Sequence, residues 1–307
     1  MIPSLDIVSL ALAGILGMAV GGNNLAACCG PLIGSGMVGR RTGILIAIAG
    51  YLLGLTIEGP KLFRVREIFL PLDTATGTFS ILLASLIVFL GGELSQIPLS
   101  LSKALTGAIL GVSIGLGTFS NAGYLVLILA FWLLVPLVAT ALGILLVGLD
   151  DRLSPRNLWV KLSLLKTGLL VVSFLSAYVL GSNTLGLIAG VVYNQTGNAT
   201  IAVGLGAILG TFVLGRGALR RLTEGIFSLR YPNAFFSQLI GSATVELANQ
   251  LGVPLSITET VSSGIIGSGL ARRMRIMNAR NVFLIISSWI ISPLAGFTLA
   301  FVLTKIL

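Results

Sequence analysis

An apolar run that stops at glycine and asparagine occurs twice in this sequence, once in each half. Leu5–Val20 is followed by GGNN at positions 21–24, and Thr167–Leu180 is followed by GSNT at positions 181–184. Glycine weakens a helix by about 1 kcal/mol relative to alanine, and asparagine brings an amide that both donates and accepts hydrogen bonds. Inside a membrane, loosened backbone is tolerated only where it is buried in protein or lines a wet cavity. The pattern therefore predicts broken helices at a polar site within the membrane.

A second motif is repeated in the same order. PLSLSK at residues 98–103 resembles PLSITE at residues 254–259, and the two motif pairs are offset by 160 and 156 residues in a chain of 307. Repeated interruptions in corresponding positions are typical of secondary transporters built from internal repeats. We therefore expect an all-α polytopic membrane protein of two inverted repeats with broken and re-entrant helices. Its predicted parts are a first repeat (1–149), a charged linker (150–166) and a second repeat (167–307).

The composition also indicates a membrane protein. Hydrophobic residues make up 55% of the chain and charged residues 9%, whereas a soluble domain has about 25% charged residues. The net charge of +9 comes from short basic clusters between apolar runs, which is typical of loops beside anionic lipid. We therefore expect a multi-pass protein of the cell membrane and no nucleic-acid partner. With two adjacent cysteines and no histidine, a disulfide framework and a Cys/His metal site are not expected, and no cofactor is predicted.

The polar residues of the repeated motifs are suited to binding an anion. An anion that enters the membrane has to exchange the hydrogen bonds of water for fixed donors, which helix N-termini supply. Both proline-containing motifs place hydroxyl groups in the first turn of such a helix, and both glycine breaks carry further donors. The predicted substrate-binding residues are Asn23, Asn24, Ser100, Ser102, Asn183, Thr184, Ser256 and Thr258. The alternative is that the hydroxyls only cap helices and the asparagines only pack them.

Lys103 and Glu259 occupy equivalent positions, five residues after the prolines of the two motifs. An ionisable residue in a membrane segment indicates a functional site by default. The two residues either pair with each other across the pseudo-axis, or Lys103 holds the anion while Glu259 takes a proton. A third interpretation is that both side chains extend to the membrane interface. Glu58, Glu93 and Glu246 lie near the edges of apolar runs and are interpreted as interfacial.

Taken together, the four motifs resemble the inorganic phosphate transporter (PiT) family. That family carries G-A-N-D-V-A-N-x-x-G in each half and P-V-S-T-T-H-x-x-x-G-A-I-x-G-x-G later in each half. The first-half matches are Gly21, Asn23, Ala26, Gly30, Pro98, Ser100, Gly107, Ala108, Ile109 and Gly111; the second-half matches are Gly181, Asn183, Gly190, Pro254, Ser256, Thr258, Ile265, Gly267 and Gly269. The resemblance implies an inverted-repeat transporter that moves phosphate with a sodium ion or a proton, and some relatives look like sulfate permeases.

The chain departs from the family pattern where a cation would bind. The aspartate of the first signature is Asn24 in one half and Thr184 in the other, and the histidine of the later element is Lys103 and Glu259. Loss of both carboxylates removes the hard oxygen ligands that a sodium ion prefers. We therefore hypothesise that Lys103 supplies a fixed positive charge in place of a bound cation, and that Glu259 carries a proton.

The predicted function is a secondary active permease for inorganic phosphate, coupled to H⁺ or Na⁺. Sulfate or another oxyanion is the alternative substrate, and an anion channel is a remote alternative. An enzyme acting on lipid phosphate would want a base, a nucleophile or a metal cluster. Because the chain has no histidine and few carboxylates, we expect no enzyme and assign no catalytic residue. The sequence leaves open the coupling ion, the membrane orientation, the direction of transport and whether the chain forms a homodimer.

Overall fold

The predicted all-α membrane architecture is confirmed. The computed structural model describes residues 3–70, 74–95, 97, 99–153, 157–192, 196–215, 217, 231–271 and 279–307, and every regular element within these ranges is a helix. Among the described residues, six helical segments are long and apolar enough to cross a membrane: Leu5–Gly34, Arg40–Ile57, Ala75–Ser95, Ala122–Asp150, Leu158–Val191 and Phe283–Ile306.

Five of the described helices in each half follow one another in the same order. In the first half they are α1 (Pro3–Gly34), α2 (Arg40–Ile57), α3 (Phe63–Phe69), α4 (Ala75–Ser95), α5 (Leu101–Gly115) and α6 (Ala122–Leu153), with a 3₁₀ turn at Gly59–Leu62. In the second half they are α7 (Leu158–Leu180), α8 (Gly186–Val191), α9 (Thr196–Val213), α10 (Tyr231–Gln250), α11 (Ile257–Ala271) and α12 (Ala279–Ile306), with a π-helical turn at Gly181–Leu185. The charged segment 150–166 takes in the end of α6 and the start of α7, and the division of the chain there stays a prediction.

The predicted helix break after Val20 is wrong, because α1 runs without interruption from Pro3 to Gly34. The glycines of this segment serve close packing instead. A Cβ atom at Gly21 would overlap the carbonyl oxygen of Ala207 in α9, and a Cβ at Gly210 of α9 would overlap the carbonyl oxygen of Met18. Small residues on both helices therefore bring the two backbones into contact, as is common between membrane helices.

The predicted break in the second half is a π-helical turn rather than a gap in the helix. All five residues of Gly181–Leu185 are buried, and a Cβ at Gly181 would overlap the carbonyl oxygen of Tyr51 in α2. A single π turn inside a helix changes the direction of the side chains around it and is frequent at functional sites. The duplicated sequence pattern therefore takes two different backbone forms.

The two halves pack against each other reciprocally. Helices α1, α2, α4, α5 and α6 begin 155 to 157 residues before α7, α9, α10, α11 and α12, respectively. In this correspondence the contact of α1 with α9 is matched by that of α7 with α2, and the contact of α5 with α12 by that of α11 with α6. Such reciprocity is what a two-fold relation between two units requires. The opposite membrane orientation of the two repeats stays a prediction.

Helices α5 and α11 are too short to cross a bilayer. Each has 15 residues, which at a rise of about 1.5 Å per residue is roughly 22 Å, against a hydrocarbon core of about 30 Å. Their N-caps are inside the protein, because Ser100 and Ser256 are only 4% and 5% exposed. Two short helices that start in the interior are the geometry expected of the predicted re-entrant elements.

Candidate functional site

The starts of α5 and α11 meet the polar residues of α1 and of the π turn at one cavity of about 100 Å³. Seven of the eight residues predicted from the sequence line this cavity: Asn23, Asn24, Ser100, Ser102, Thr184, Ser256 and Thr258. The rest of its lining is apolar except for Glu93. One water molecule needs about 10–15 Å³ of such free space, so the cavity has room for a small ion. The structure therefore brings four separate segments of the sequence to one polar cavity.

Ser100 is the N-cap of α5. Its backbone is extended (φ −87°, ψ 115°), and its Oγ accepts a hydrogen bond from the N–H of Lys103 at 3.4 Å. The N–H of Ser100 donates to Oγ of Ser292 in α12 at 2.8 Å, so a helix of the second half fixes the start of α5. Ser100 both caps the helix and lines the cavity. Pro98 of the same motif lies outside the described residues.

Ser256 begins α11 in the same way. Its Oγ accepts from the N–H of Glu259 at 3.4 Å and lies 2.9 Å from Oγ1 of Thr258. The indole N–H of Trp132 in α6 donates to the carbonyl oxygen of Pro254 at 2.8 Å, so a helix of the first half fixes the start of α11. The two helix starts are thus held by corresponding helices of the opposite halves.

The first-turn hydroxyls form hydrogen-bonded pairs, and each pair has one O–H that it does not use internally. Oγ of Ser102 lies 2.9 Å from Oγ1 of Thr184 in the π turn, and both residues are 3% exposed. The Ser256 and Thr258 hydroxyls form the other pair. Because each hydroxyl carries one donor, a pair uses one O–H internally and has a second O–H to offer. Each pair can therefore donate a hydrogen bond to an anion without leaving its own members unpaired.

Asn183 is the one predicted substrate-binding residue that does not line the cavity. It is fully buried. Its Oδ1 accepts from the N–H of Leu255 at 3.0 Å, and its Nδ2 donates to Oδ1 of Asn249 at 2.6 Å and to the carbonyl of Val253 at 3.2 Å. Asn183 therefore holds the segment that leads into Ser256. Asn24 uses its Nδ2 locally, on the carbonyl of Val20 at 3.1 Å, and still lines the cavity.

Lys103 and Glu259 form an ion pair, which was the first of the three interpretations of these residues. Nζ of Lys103 lies 2.7 Å from Oε2 of Glu259, and their side chains are 3% and 7% exposed, so neither extends to an interface. The Nζ atom also lies 5.1 Å and 5.6 Å from the ring centres of Trp132 and Trp289. Neither charged residue is among those that line the cavity. Lys103 therefore does not reach the cavity directly in this conformation.

The helix dipoles act in opposite ways on the two members of this pair. Both residues are the third of their helix, where the positive end of the helix dipole favours a carboxylate and disfavours an ammonium group. Glu259 is therefore well placed, whereas Lys103 depends on its partner carboxylate and on the two indole rings. Removing one member of a buried pair typically costs about 3–5 kcal/mol. The pair thus ties the two helix starts together.

Sequence reasoning missed three features of this region. Glu93, interpreted as interfacial, lines the cavity, because α4 continues past Gly92 to Ser95. Asn249 was not singled out, although an asparagine in an apolar helix is a signal of polar contact. The indole rings around Lys103 come from α6 and α12, and their meeting depends on tertiary packing. Within the described ranges, no group of three or more His, Cys, Asp or Glu side chains is placed to hold a metal ion.

Known proteins resemble this chain over nearly its whole length. The model of the phosphate transporter family matches residues 20–176 and again residues 161–300. The Bacillus subtilis protein named "Sulfate permease CysP" is 26% identical over 98% of this chain and 88% of its own length. The Methanocaldococcus jannaschii protein named "Putative phosphate permease MJ0630" is 23% identical over 94% of this chain and 93% of its own. A solved structure titled "The sodium-dependent phosphate transporter" matches with a TM-score of 0.85 over 99% of this chain and 98% of that chain, at 18% identity.

Proposed function

Because the chain belongs to the phosphate transporter family, we propose that it carries inorganic phosphate across the cell membrane as a secondary active permease. The observation that carries the proposal is the single cavity at which both capped helix starts, the π turn and the Asn23–Asn24 segment of α1 meet. All of these elements present hydrogen-bond donors, and they come from both halves of the chain. A site between two repeats is where carriers of this general design bind their substrate.

The electrostatics of the helix starts favour an oxyanion. The first N–H groups of a helix have no partner within the helix, and the helix dipole places roughly half a positive charge at that end. Two such ends, α5 and α11, meet at one cavity and come with hydroxyls and amides that donate in several directions. A small anion with several acceptor oxygens would be held without a formal cation in the cavity wall, and it would be released without breaking a strong ion pair.

We further propose that the coupling ion is a proton rather than a sodium ion, and that Glu259 carries it. Its Oε2 binds Lys103, whereas its Oε1 is buried and has no hydrogen-bond partner within the part of the chain that the structure describes. A proton on that oxygen would leave the charge of Lys103 unbalanced beside two helix starts that face the cavity. Proton binding and anion binding would then favour each other, with a reciprocal coupling of about 1–3 kcal/mol as is usual for linked sites.

Sulfate is a second candidate substrate. The observation in its favour is the 26% identity to a relative named as a sulfate permease. Sulfate and phosphate are both tetrahedral oxyanions, so the hydroxyls and helix starts alone would accept either. The choice between them depends on other residues of the cavity.

Counterflow in proteoliposomes tests the proposed carrier. Purified protein is reconstituted in vesicles loaded with unlabelled phosphate, and entry of labelled phosphate is followed after dilution. We expect transient accumulation of label above the outside concentration, because a carrier exchanges its substrate across the membrane. Label that only equilibrates, together with large single-channel currents, would indicate a channel instead. The same vesicles loaded with sulfate show whether sulfate supports the exchange.

A further inference from the structure

We propose that Glu93 selects phosphate over sulfate by accepting a hydrogen bond from a protonated oxygen of the phosphate ion. The inference rests on the proposed oxyanion transport and adds the residue that discriminates between the two oxyanions. Glu93 is in the last turn of α4, and its side chain lines the same cavity as Ser100, Ser256 and the two asparagines of α1. None of the sequence motifs includes it.

The fold fixes Glu93 at the cavity through the segment that precedes α5. A Cβ at Gly92 would lie 2.9 Å from Cγ of Leu99, and the N–H of Ile97 donates to the carbonyl oxygen of Gly92 at 3.0 Å. The chain therefore folds back onto the end of α4 just before it enters the capped start of α5. Phe89, four residues earlier on the same face of α4, also lines the cavity. Glu93 is thus held beside the helix start by packing.

The charges around the cavity determine how this carboxylate can interact with an anion. Among the lining residues that the structure describes, Glu93 is the one with a formal charge; the other polar groups are hydroxyls and amides. The nearby ammonium group of Lys103 is bound to Glu259 at 2.7 Å and is 3% exposed. An anion that enters therefore meets hydroxyl and amide donors together with the carboxylate of Glu93. Two negative groups are stable side by side when a proton lies between them.

Phosphate can supply that proton and sulfate cannot. At neutral pH inorganic phosphate keeps one or two protons, whereas sulfate keeps none and offers only acceptors. A carboxylate has about four acceptor sites, so Glu93 can accept a phosphate O–H while it keeps its other hydrogen bonds. A buried site built to bind a substrate hydroxyl rejects an analogue without it by about 10⁴–10⁵-fold. Because Glu93 is only half-buried, we expect a smaller preference, of about tenfold or more.

The test measures how strongly unlabelled phosphate, arsenate and sulfate each inhibit the uptake of labelled phosphate into proteoliposomes. Arsenate keeps protons at neutral pH as phosphate does, so it separates protonation from the tetrahedral shape. In the wild type we expect arsenate to compete nearly as well as phosphate, and sulfate at least about tenfold more weakly. Competition by sulfate as strong as that by phosphate would overturn the inference and leave oxyanion transport standing. Failure of all three anions to enter or compete would instead overturn the proposed function.

Glu93→Gln makes the test specific to this residue. The glutamine amide can donate a hydrogen bond to sulfate, which the carboxylate cannot do, so we expect the preference for phosphate over sulfate to fall at least about tenfold. The matched control is Glu67→Gln, the same change at an exposed residue of α3 outside the cavity lining, which should leave the preference unchanged. An unchanged preference in folded Glu93→Gln would overturn the inference. If that variant does not fold, the comparison of arsenate with sulfate in the wild type still decides.

Discussion

Nζ of Lys103 lies 2.7 Å from Oε2 of Glu259, and each residue is the third of a helix whose N-cap serine lines the cavity. The ion pair therefore joins the helix starts of the two halves within one turn of the polar wall. A change at either charge should reach the cavity through these helix starts and should alter stability and transport in separable ways.

Removing Lys103 alone should destabilise the fold strongly. Lys103→Met leaves a buried carboxylate without its partner, and we expect a loss of about 3–5 kcal/mol in the free energy of unfolding. The double variant Lys103→Met/Glu259→Leu should recover most of this loss, because an apolar pair of similar volume is often as stable as a buried ion pair. Thermal unfolding in detergent measures both. Lys166→Met, at an exposed lysine of α7, is the control. If Lys103→Met lost as little stability as Lys166→Met, the proposed role of the ion pair would be contradicted.

Glu259→Gln should leave phosphate exchange intact and abolish its coupling to a proton gradient. Glutamine keeps nearly the shape of glutamate and cannot take up the coupling proton, so the charge of Lys103 is left permanently unbalanced. We expect counterflow of phosphate to continue and accumulation driven by a proton gradient to be lost. Uptake driven by a pH jump, with counterflow in the same vesicles as the reference, is the measurement. Proton-driven accumulation that persists in this variant would remove Glu259 from the coupling step.

Glycine and alanine at the N-cap serines distinguish capping from substrate binding. Alanine removes both the cap and the hydroxyl and costs about 0.5–2 kcal/mol, whereas glycine at an N-cap costs only a few tenths. If the hydroxyl binds phosphate, then Ser100→Gly and Ser256→Gly should cut transport as much as the alanine variants, although the fold is nearly as stable as that of the wild type. Initial rates of uptake, normalised to folded protein, measure this.

The control for the serine variants is Ser287→Ala. The Ser287 hydroxyl donates to the carbonyl oxygen of Phe283 on α12 and is not part of the cavity lining. It should transport at the wild-type rate. Wild-type rates in both glycine variants would mean that these hydroxyls only cap their helices.

Asn183 should matter for stability more than Asn23 does. Asn183→Ala removes the acceptor of the Leu255 N–H and the donor to Oδ1 of Asn249, and a buried unsatisfied group costs about 1–3 kcal/mol. Asn23 lines the cavity and is only half-buried, so Asn23→Ala should lower transport and leave the unfolding temperature nearly unchanged. Equal thermal shifts in the two variants would contradict these separate roles.

Gly21 should be intolerant of a side chain, although glycine is a poor helix former. Gly21→Ala places a methyl group against the carbonyl oxygen of Ala207, so α1 and α9 have to separate. Gly91 of α4 has nothing within 4 Å of the added Cβ, and Gly91→Ala should stabilise its helix by up to about 1 kcal/mol. Thermal unfolding of the pair shows whether the glycines of α1 act by packing, and a stabilised Gly21→Ala variant would show that they do not.

The duplication explains how much of the site the sequence could predict. Residues such as Ser100 and Ser256 stand in matching motifs, and a two-fold relation between repeats brings matching motifs together near the axis. The same reasoning gave the pairing of Lys103 with Glu259 as one of three interpretations, and the structure shows that pair. Side-chain chemistry and repeat offset were therefore sufficient to group seven cavity residues that are far apart in the chain.

The repeated motifs could not predict the backbone conformation at the glycines, nor the roles of residues that occur in only one half. Whether the glycines at 21 and 22 break a helix depends on what packs against them, and α9 packs there so closely that the helix continues. The site role of Glu93 depends on where α4 ends and on the fold-back of the next segment onto Gly92. Asn249 accepts a hydrogen bond from Asn183, and no sequence motif indicates this contact.

The proposed phosphate carrier has no cationic side chain among the described residues that line its cavity and is driven by protons rather than by sodium ions. Its most direct test is uptake of labelled phosphate into sodium-free proteoliposomes, with an acid exterior and an alkaline interior. We expect accumulation of phosphate above its outside concentration, the same accumulation when a sodium gradient is added, and loss of accumulation in the double variant Ser100→Gly/Ser256→Gly. Uptake that appears only when sodium is present on the outside would contradict the proposed coupling to protons.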